Sequence, residues 1–120
     1  MTMTPRAFEF SMQVTSGRAM LGAVRDLACH VATYAGGQAL AAAVADEVVS
    51  AAEAAIAASR GDGSPVDVRF VRTDACLDVF VTGNGATTLA TAPQSRGHGL
   101  SVDWHDEHGR PVCHIRQAMA

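Results

Sequence analysis

Residues 46–59 read DEVVSAAEAAIAAS, and the reading of this run decides the fold. Six of its fourteen residues are alanine, the strongest helix former, and no glycine or proline interrupts 38–59. The spacing predicts one helix over 38–59. Leu40, Val44, Val48 and Ile56 give it an apolar stripe, and its charges are confined to Asp46, Glu47 and Glu53. Alanine is too weakly hydrophobic to hold a membrane span. A helix this apolar on most sides is covered on more than one of them. Its cover is either a sheet and a neighbouring helix, or a second copy of the chain.

Upstream, 7–15 alternates, with Phe8, Phe10, Met12 and Val14 on one face and Glu9, Ser11 and Gln13 on the other. That is the period of a half-buried strand. Ser16 is placed to cap a following helix to Tyr34, striped by Met20, Val24, Leu27 and Val31 and stopped by Gly36 and Gly37. Downstream, 60–65 is a loop by composition, and 66–72 sets Val66, Val68 and Phe70 against Asp67, Arg69 and Val71. After a tight connection at Thr73 and Asp74, 76–82 puts Leu77, Val79 and Val81 on a common face, which predicts an antiparallel hairpin. The stretch 83–99 shows no period and is expected to be a long loop. Two last strands, 100–105 and 111–117, join around Glu107-His108-Gly109-Arg110, with Val102, Trp104, Cys113 and Ile115 facing the core.

The order β-α-α-β-β-loop-β-β predicts an α+β, two-layer sandwich. Its mostly antiparallel sheet has about five strands, with two helices on one face. At 120 residues the chain is expected to be a single domain, 1–120. Its 48% hydrophobic and 18% charged residues are those of an ordinary globular protein. A formal charge of −3, carried without any lysine and with scattered arginines, argues against nucleic acid as a partner. Residues 1–6 have no apolar core of a signal peptide, so the expected compartment is the cytoplasm. Cys29, Cys76 and Cys113 are expected as reduced, buried thiols.

This order of elements, with a glycine-containing segment after the third strand, resembles the ATPase domain shared by histidine kinases, gyrase and Hsp90. Within that GHKL-like superfamily it is most similar to the serine-kinase anti-sigma factors of the RsbW type. The family carries a Glu and an Asn four apart on its second helix, often a His four further on, an Asp-x-Gly after the third strand and a Gly-x-Gly in its lid. Counted from Val66, those helix positions fall on Ala51, Ala55 and Ser59; Asp-x-Gly falls on Gly83-Asn84-Gly85, and the lid glycines on Gly97 and Gly99. The resemblance implies that asparagine would hold Mg²⁺, glutamate would activate water or substrate, and aspartate would bind adenine. Methyl groups at Ala51 and Ala55 do none of this. The family's helix after the lid also has no room before the strand at 100. Mg-ATP binding is therefore expected to be lost, with no cofactor, unless the helix register is shifted by a turn and Glu47 takes the glutamate's place.

His98, His105, His108 and His114 crowd the C-terminal third beside Cys113, Asp103, Asp106 and Glu107. No closed Cys/His ligand spacing is present, and the residues are read as solvated turn groups on different faces rather than a metal site. Pairs such as Cys113 with a histidine, or Ser95 with His98, lack anything to set their geometry for nucleophilic catalysis. The expected function is a non-catalytic regulatory or protein-interaction module, a pseudokinase-like relative of anti-sigma factors. Its partner by resemblance is a sigma factor or an antagonist-like protein. A homodimer is expected through the helical layer or the sheet edge. The alternative is a small enzyme or apolar-ligand binder that reuses the emptied cleft, with His98 and Trp104 near its mouth.

Overall fold

The computed structural model of the chain describes residues 7–14, 20–36, 38–58, 65–73, 75–83 and 91–118. Ser16, Ser59, Asn84 and Gly85 lie outside them. The elements are β1 (Phe8–Val14), α1 (Leu21–Tyr34), a 3₁₀ turn (Gln38–Leu40), α2 (Ala41–Ala58), β2 (Val66–Arg72), β3 (Cys76–Thr82), β4 (Thr91–Gly97), β5 (Leu100–Glu107) and β6 (Arg110–Ala118). The six strands form one antiparallel sheet in the order β1-β2-β3-β6-β5-β4, with both helices on one face. The α+β sandwich expected from the pattern is therefore the fold, with one strand more than anticipated.

The extra strand corrects the reading of 83–99 as a loop. β4 escaped the periodicity test because its pairing with β5 is irregular: the register shifts between Thr91 and Gln94 and again between Ser95 and Gly97. Each shift moves the following side chains to the other face and so erases a period of two. The same correction removes the lid glycines. Gly97 pairs with Leu100, and His98 (φ 54°) and Gly99 (φ 77°) are the two central residues of a tight hairpin turn. His108 (φ 55°) and Gly109 (φ 79°) repeat this turn between β5 and β6. Two consecutive positive φ angles match the right-handed twist of the strands they join, and glycine makes the second inexpensive.

The two glycines differ in one respect that a substitution will read out. A Cβ on Gly109 would meet nothing within 4 Å, whereas one on Gly99 would lie 2.9 Å from the Cβ of Ala118. Gly109→Ala is expected to cost only the left-handed backbone strain, about 1 kcal/mol. Gly99→Ala should cost at least about 1 kcal/mol more, because the hairpin must also move away from β6. Urea unfolding of the two variants measures the difference.

The core lies between sheet and helices. Register brings Phe70, Val79, Ile115 and Val102 into one row across β2, β3, β6 and β5, and Val68, Val81 and Cys113 into the next. All are buried. α2 covers this face mainly through Val44, Ala45, Val48, Ala51, Ala52 and Ala55, while Leu40 and Ile56 of the anticipated stripe are only half-buried. α1 packs beside α2 and buries Val24, Ala28 and Ala32. Alanine on both helices is what lets one helix be covered by the sheet and its neighbour at once. The C-terminal end of α1 is tied to the sheet by buried Arg72, whose Nε donates to the Ala35 carbonyl at 3.0 Å. A cation there also faces the negative end of the helix dipole. Among the described residues no helix is long and apolar enough to cross a membrane.

Candidate functional site

Of the positions matched to that family's nucleotide-binding residues, Ala55 and Gly83 meet with no space between them. Ala51 is 4% exposed and Ala55 1%. A Cβ on Gly83 would lie 3.1 Å from the Cβ of Ala55 and 3.7 Å from Cγ of Pro111, so helix and sheet already touch there. The Gly83 backbone is also committed: its N–H donates to the Pro111 carbonyl at 3.0 Å, and its own carbonyl accepts from Arg110 Nε at 3.2 Å. A loop that cradles phosphates needs free N–H groups, and that of Gly83 is taken by β6. Glu47, the remaining carboxylate on this face of α2, is paired with Arg96 of β4 at 3.2 Å. The hairpin that corrects the lid reading thus supplies the cation that occupies Glu47.

Gly97, His98 and Gly99 are exposed at the β4–β5 turn, while Trp104 is half-buried on the core face of β5 opposite Cys113. His98 and Trp104 do not line the concavities described below. The Cys113 thiol is pushed up to about 12, by burial first and then by the Asp103 and Glu47 charges, so it is no nucleophile at neutral pH. Ser95 accepts a hydrogen bond from Gly97 N–H within the hairpin at 3.3 Å.

No family model and no curated protein matches the sequence. Its chemistry has to be read from the side chains themselves.

The richest cluster lies on the opposite face of the sheet, away from the helices. Asp103, His105 and Glu107 of β5, His114 and Arg116 of β6, and Cys76, Asp78 and Phe80 of β3 all project there. This corrects in part the assignment of the C-terminal group to different faces: Asp103, His105, Glu107 and His114 share one face, whereas Asp106 and Cys113 lie on the other and His98 and His108 stand on the turns. His105 bridges Asp103 (3.2 Å) and Glu107 (2.9 Å). His114 bridges Asp78 (Nε2, 2.6 Å) and Asp103 (Nδ1, 3.5 Å). Arg116 Nε reaches Asp78 at 3.0 Å, and the Cys76 thiol donates to its other oxygen at 3.3 Å. The imidazole of His114 stacks on Phe80 (4.7 Å, 6°), and the guanidinium of Arg69 lies 4.9 Å from the same ring.

A spacing of two on one strand was visible in Asp103-x-His105-x-Glu107, but its junction with β3 and β6 depends on register. That register places Asp78 opposite Arg116 and Asp103 opposite His114.

Chemically the ladder is a chain of alternating acids and imidazoles. It lacks the order of a nucleophile relay, in which the imidazole stands between nucleophile and carboxylate. Here Asp78 stands between Cys76 and His114, so the histidine has no hydrogen bond to the thiol. Among the described residues no group of three His, Cys, Asp or Glu side chains is placed to hold a metal ion. Beside the ladder the twist of the sheet makes an open concavity of about 720 Å³, lined by Ser11, Gln13, Arg69, Phe80, Thr82 and Arg110 among others. Its arginines are engaged, Arg69 with Glu9 at 3.8 Å and Arg110 with Asp67 at 3.2 Å.

The ladder makes stability depend on pH in two directions. Burial alone would raise the Asp78 carboxyl, but hydrogen bonds from His114 and Cys76 and the Arg116 charge outweigh it and hold it below its ordinary value. Glu107 is lowered chiefly by its hydrogen bond from His105. Their contribution is present above the ordinary carboxylate range and is lost as pH falls below about 4. His105 is raised, first by the Glu107 hydrogen bond and then by Asp103, against partial burial. Its contribution is complete below about pH 6.5 and is lost as pH rises through the raised value. Urea midpoints should therefore fall on both sides of a window from about pH 4 to 6.5. In His105→Gln the alkaline limb should flatten, while the limb below about pH 4 should shrink to the part carried by Asp78.

Proposed function

We propose that this chain is a non-catalytic regulatory module of the cytoplasm that acts by contact with a protein partner. It keeps the layout of the anti-sigma-factor kinases without their chemistry, and the partner class is a sigma factor or an antagonist of one. The observation that carries this reading is the closed seam between α2 and β3, where the place of a nucleotide is filled by Ala55 packed on Gly83. The engagement of Glu47 by Arg96 supports it against the one-turn shift that would put this carboxylate to catalytic use. The same packing favours closure of the cleft over its reuse for an apolar ligand. Calorimetric titration with Mg-ATP tests the proposal. No heat of binding up to millimolar nucleotide is expected, and micromolar binding would overturn it.

A further inference from the structure

The concavity of about 720 Å³ on the open face of the sheet contains a cation whose hydrogen-bond donors are not taken up. Thr82 and Val112, direct partners in β3 and β6, make its floor. On one side stand Arg69 and Phe80, direct partners in β2 and β3. On the other, Arg110 reaches from β6 to Asp67 of β2. The charges here are unequally committed. Arg110 donates to Asp67 and to the Gly83 carbonyl, both at 3.2 Å, and Glu107 is held by His105 at 2.9 Å. Arg69 differs. Its acid, Glu9, stands 3.8 Å away, beyond hydrogen-bond reach, and both side chains are more than half exposed (51% and 59%). Among the described residues no side chain hydrogen-bonds to the Arg69 guanidinium. The group lies 4.9 Å from the centre of the Phe80 ring, which steadies it without occupying its donors.

We propose that this concavity binds a small aromatic carboxylate, with Arg69 as the group that holds the anion. A carboxylate in the plane of the guanidinium takes two parallel N–H donors, which Glu9 at its distance leaves open. The exposed hydroxyl of Ser11, directly across from Arg69 in β1, adds a third donor. The ring then lies on Val112 and the methyl of Thr82, between Phe80 and the Arg110–Asp67 bridge. An open trough encloses little, so a flat body gains more contact from it than a puckered one. The Phe80 ring adds the preference of one aromatic edge for another. The acids that line the trough do not repel the anion as free charges, because Asp67 and Glu107 each have their own cationic partner. The volume is that of sites for small organic ligands. The concavity lies on the opposite face from the closed seam of α2 and β3. The proposal therefore neither reuses that cleft nor depends on the function proposed above.

Titration of the isotope-labelled full chain with sodium naphthoate, followed by two-dimensional NMR, tests it. Saturable shifts are expected at the amides of Arg69, Phe80, Thr82 and Val112, with a Kd below about 1 mM. Two further probes separate the parts of the ligand. Naphthalenemethanol has the ring without the charge, and cyclohexanecarboxylate has the charge without the flat ring. Each should bind at least about tenfold more weakly than naphthoate. Arg69→Gln should weaken naphthoate by a similar factor, about tenfold or more, and because Arg69 is exposed the rest of its spectrum should stay that of the folded chain. Arg69→Lys, which keeps the charge and loses the fork, should recover only part of the affinity. Absence of saturable shifts up to about 10 mM naphthoate overturns the proposal. So does equal affinity for the three probes on the wild type, a comparison that needs no variant, or unchanged binding in Arg69→Gln. Shifts confined to the apolar hollow of about 370 Å³ between β1 and α1, bounded by Phe8, Phe10 and Tyr34, overturn it as well.

Discussion

Introducing the polar residues of the proposed family, Ala51→Glu together with Ala55→Asn, is expected to destabilise the chain by about 4–6 kcal/mol and to give no Mg-ATP binding. The size follows from the packing. Ala55 is 1% exposed and in contact with the Gly83 backbone, so asparagine must displace either α2 or β3. Overfilling of this kind costs about 1–3 kcal/mol, and a buried amide without partners about 1–3 more. Glutamate at the 4% exposed Ala51 buries a carboxylate, which costs several kcal/mol or is avoided by protonation. A typical domain has about 5–15 kcal/mol in all, so the double variant sits near the limit of folding. Urea unfolding followed by circular dichroism gives the first quantity and calorimetry the second. Ala57→Glu is the control: the residue is exposed on the same helix, and its change should stay within about 0.5 kcal/mol. A double variant as stable as wild type, with nucleotide bound, would mean that the seam opens readily.

Phe70→Ala should be the most damaging single truncation of the sheet, at about 3–5 kcal/mol. Phe70 is fully buried in β2, opposite Phe10 on one side and Val79 on the other. It stands where α2 meets the sheet, so its removal leaves a cavity in the core. Phe10→Ala removes the same group from a ring that is 44% exposed, 6.2 Å from Phe70. That change should cost about 1 kcal/mol, because little apolar area returns to water. Equal losses at the two positions would show that β1 rather than the α2 contact carries the stability of this end. Chemical unfolding at a fixed protein concentration distinguishes them.

The layout was legible where each residue's surroundings change regularly. Both helices and five strands follow from the periods of Phe8, Val24, Val44, Val66, Leu77, Val102 and Ile115. β4 was not, because its shifted pairing scatters the side chains of 91–97 between faces. Gly97, the last residue of β4, therefore looked like part of a lid, and nothing local showed that Arg96 before it pairs with Glu47. At the site, the identity of Ala51 and Ala55 already spoke against nucleotide chemistry. That the cleft is filled needed the distance from Ala55 to Gly83. The acid–imidazole ladder was half visible, in Asp103, His105 and Glu107 alone. Its other half joins through β6, which lies between β3 and β5, and no local pattern announces which distant strand will be a neighbour.

That position of β6 bears on how the chain can be made. It is the last of the six strands to leave a ribosome, yet it stands inside the sheet and joins two hairpin-linked halves. Until Arg110–Ala118 has emerged, β3 offers Leu77, Val79 and Val81 along an unpaired edge, and β5 waits with only β4 beside it. A growing chain therefore cannot finish this sheet strand by strand. It completes the sheet in one late insertion that closes both halves together.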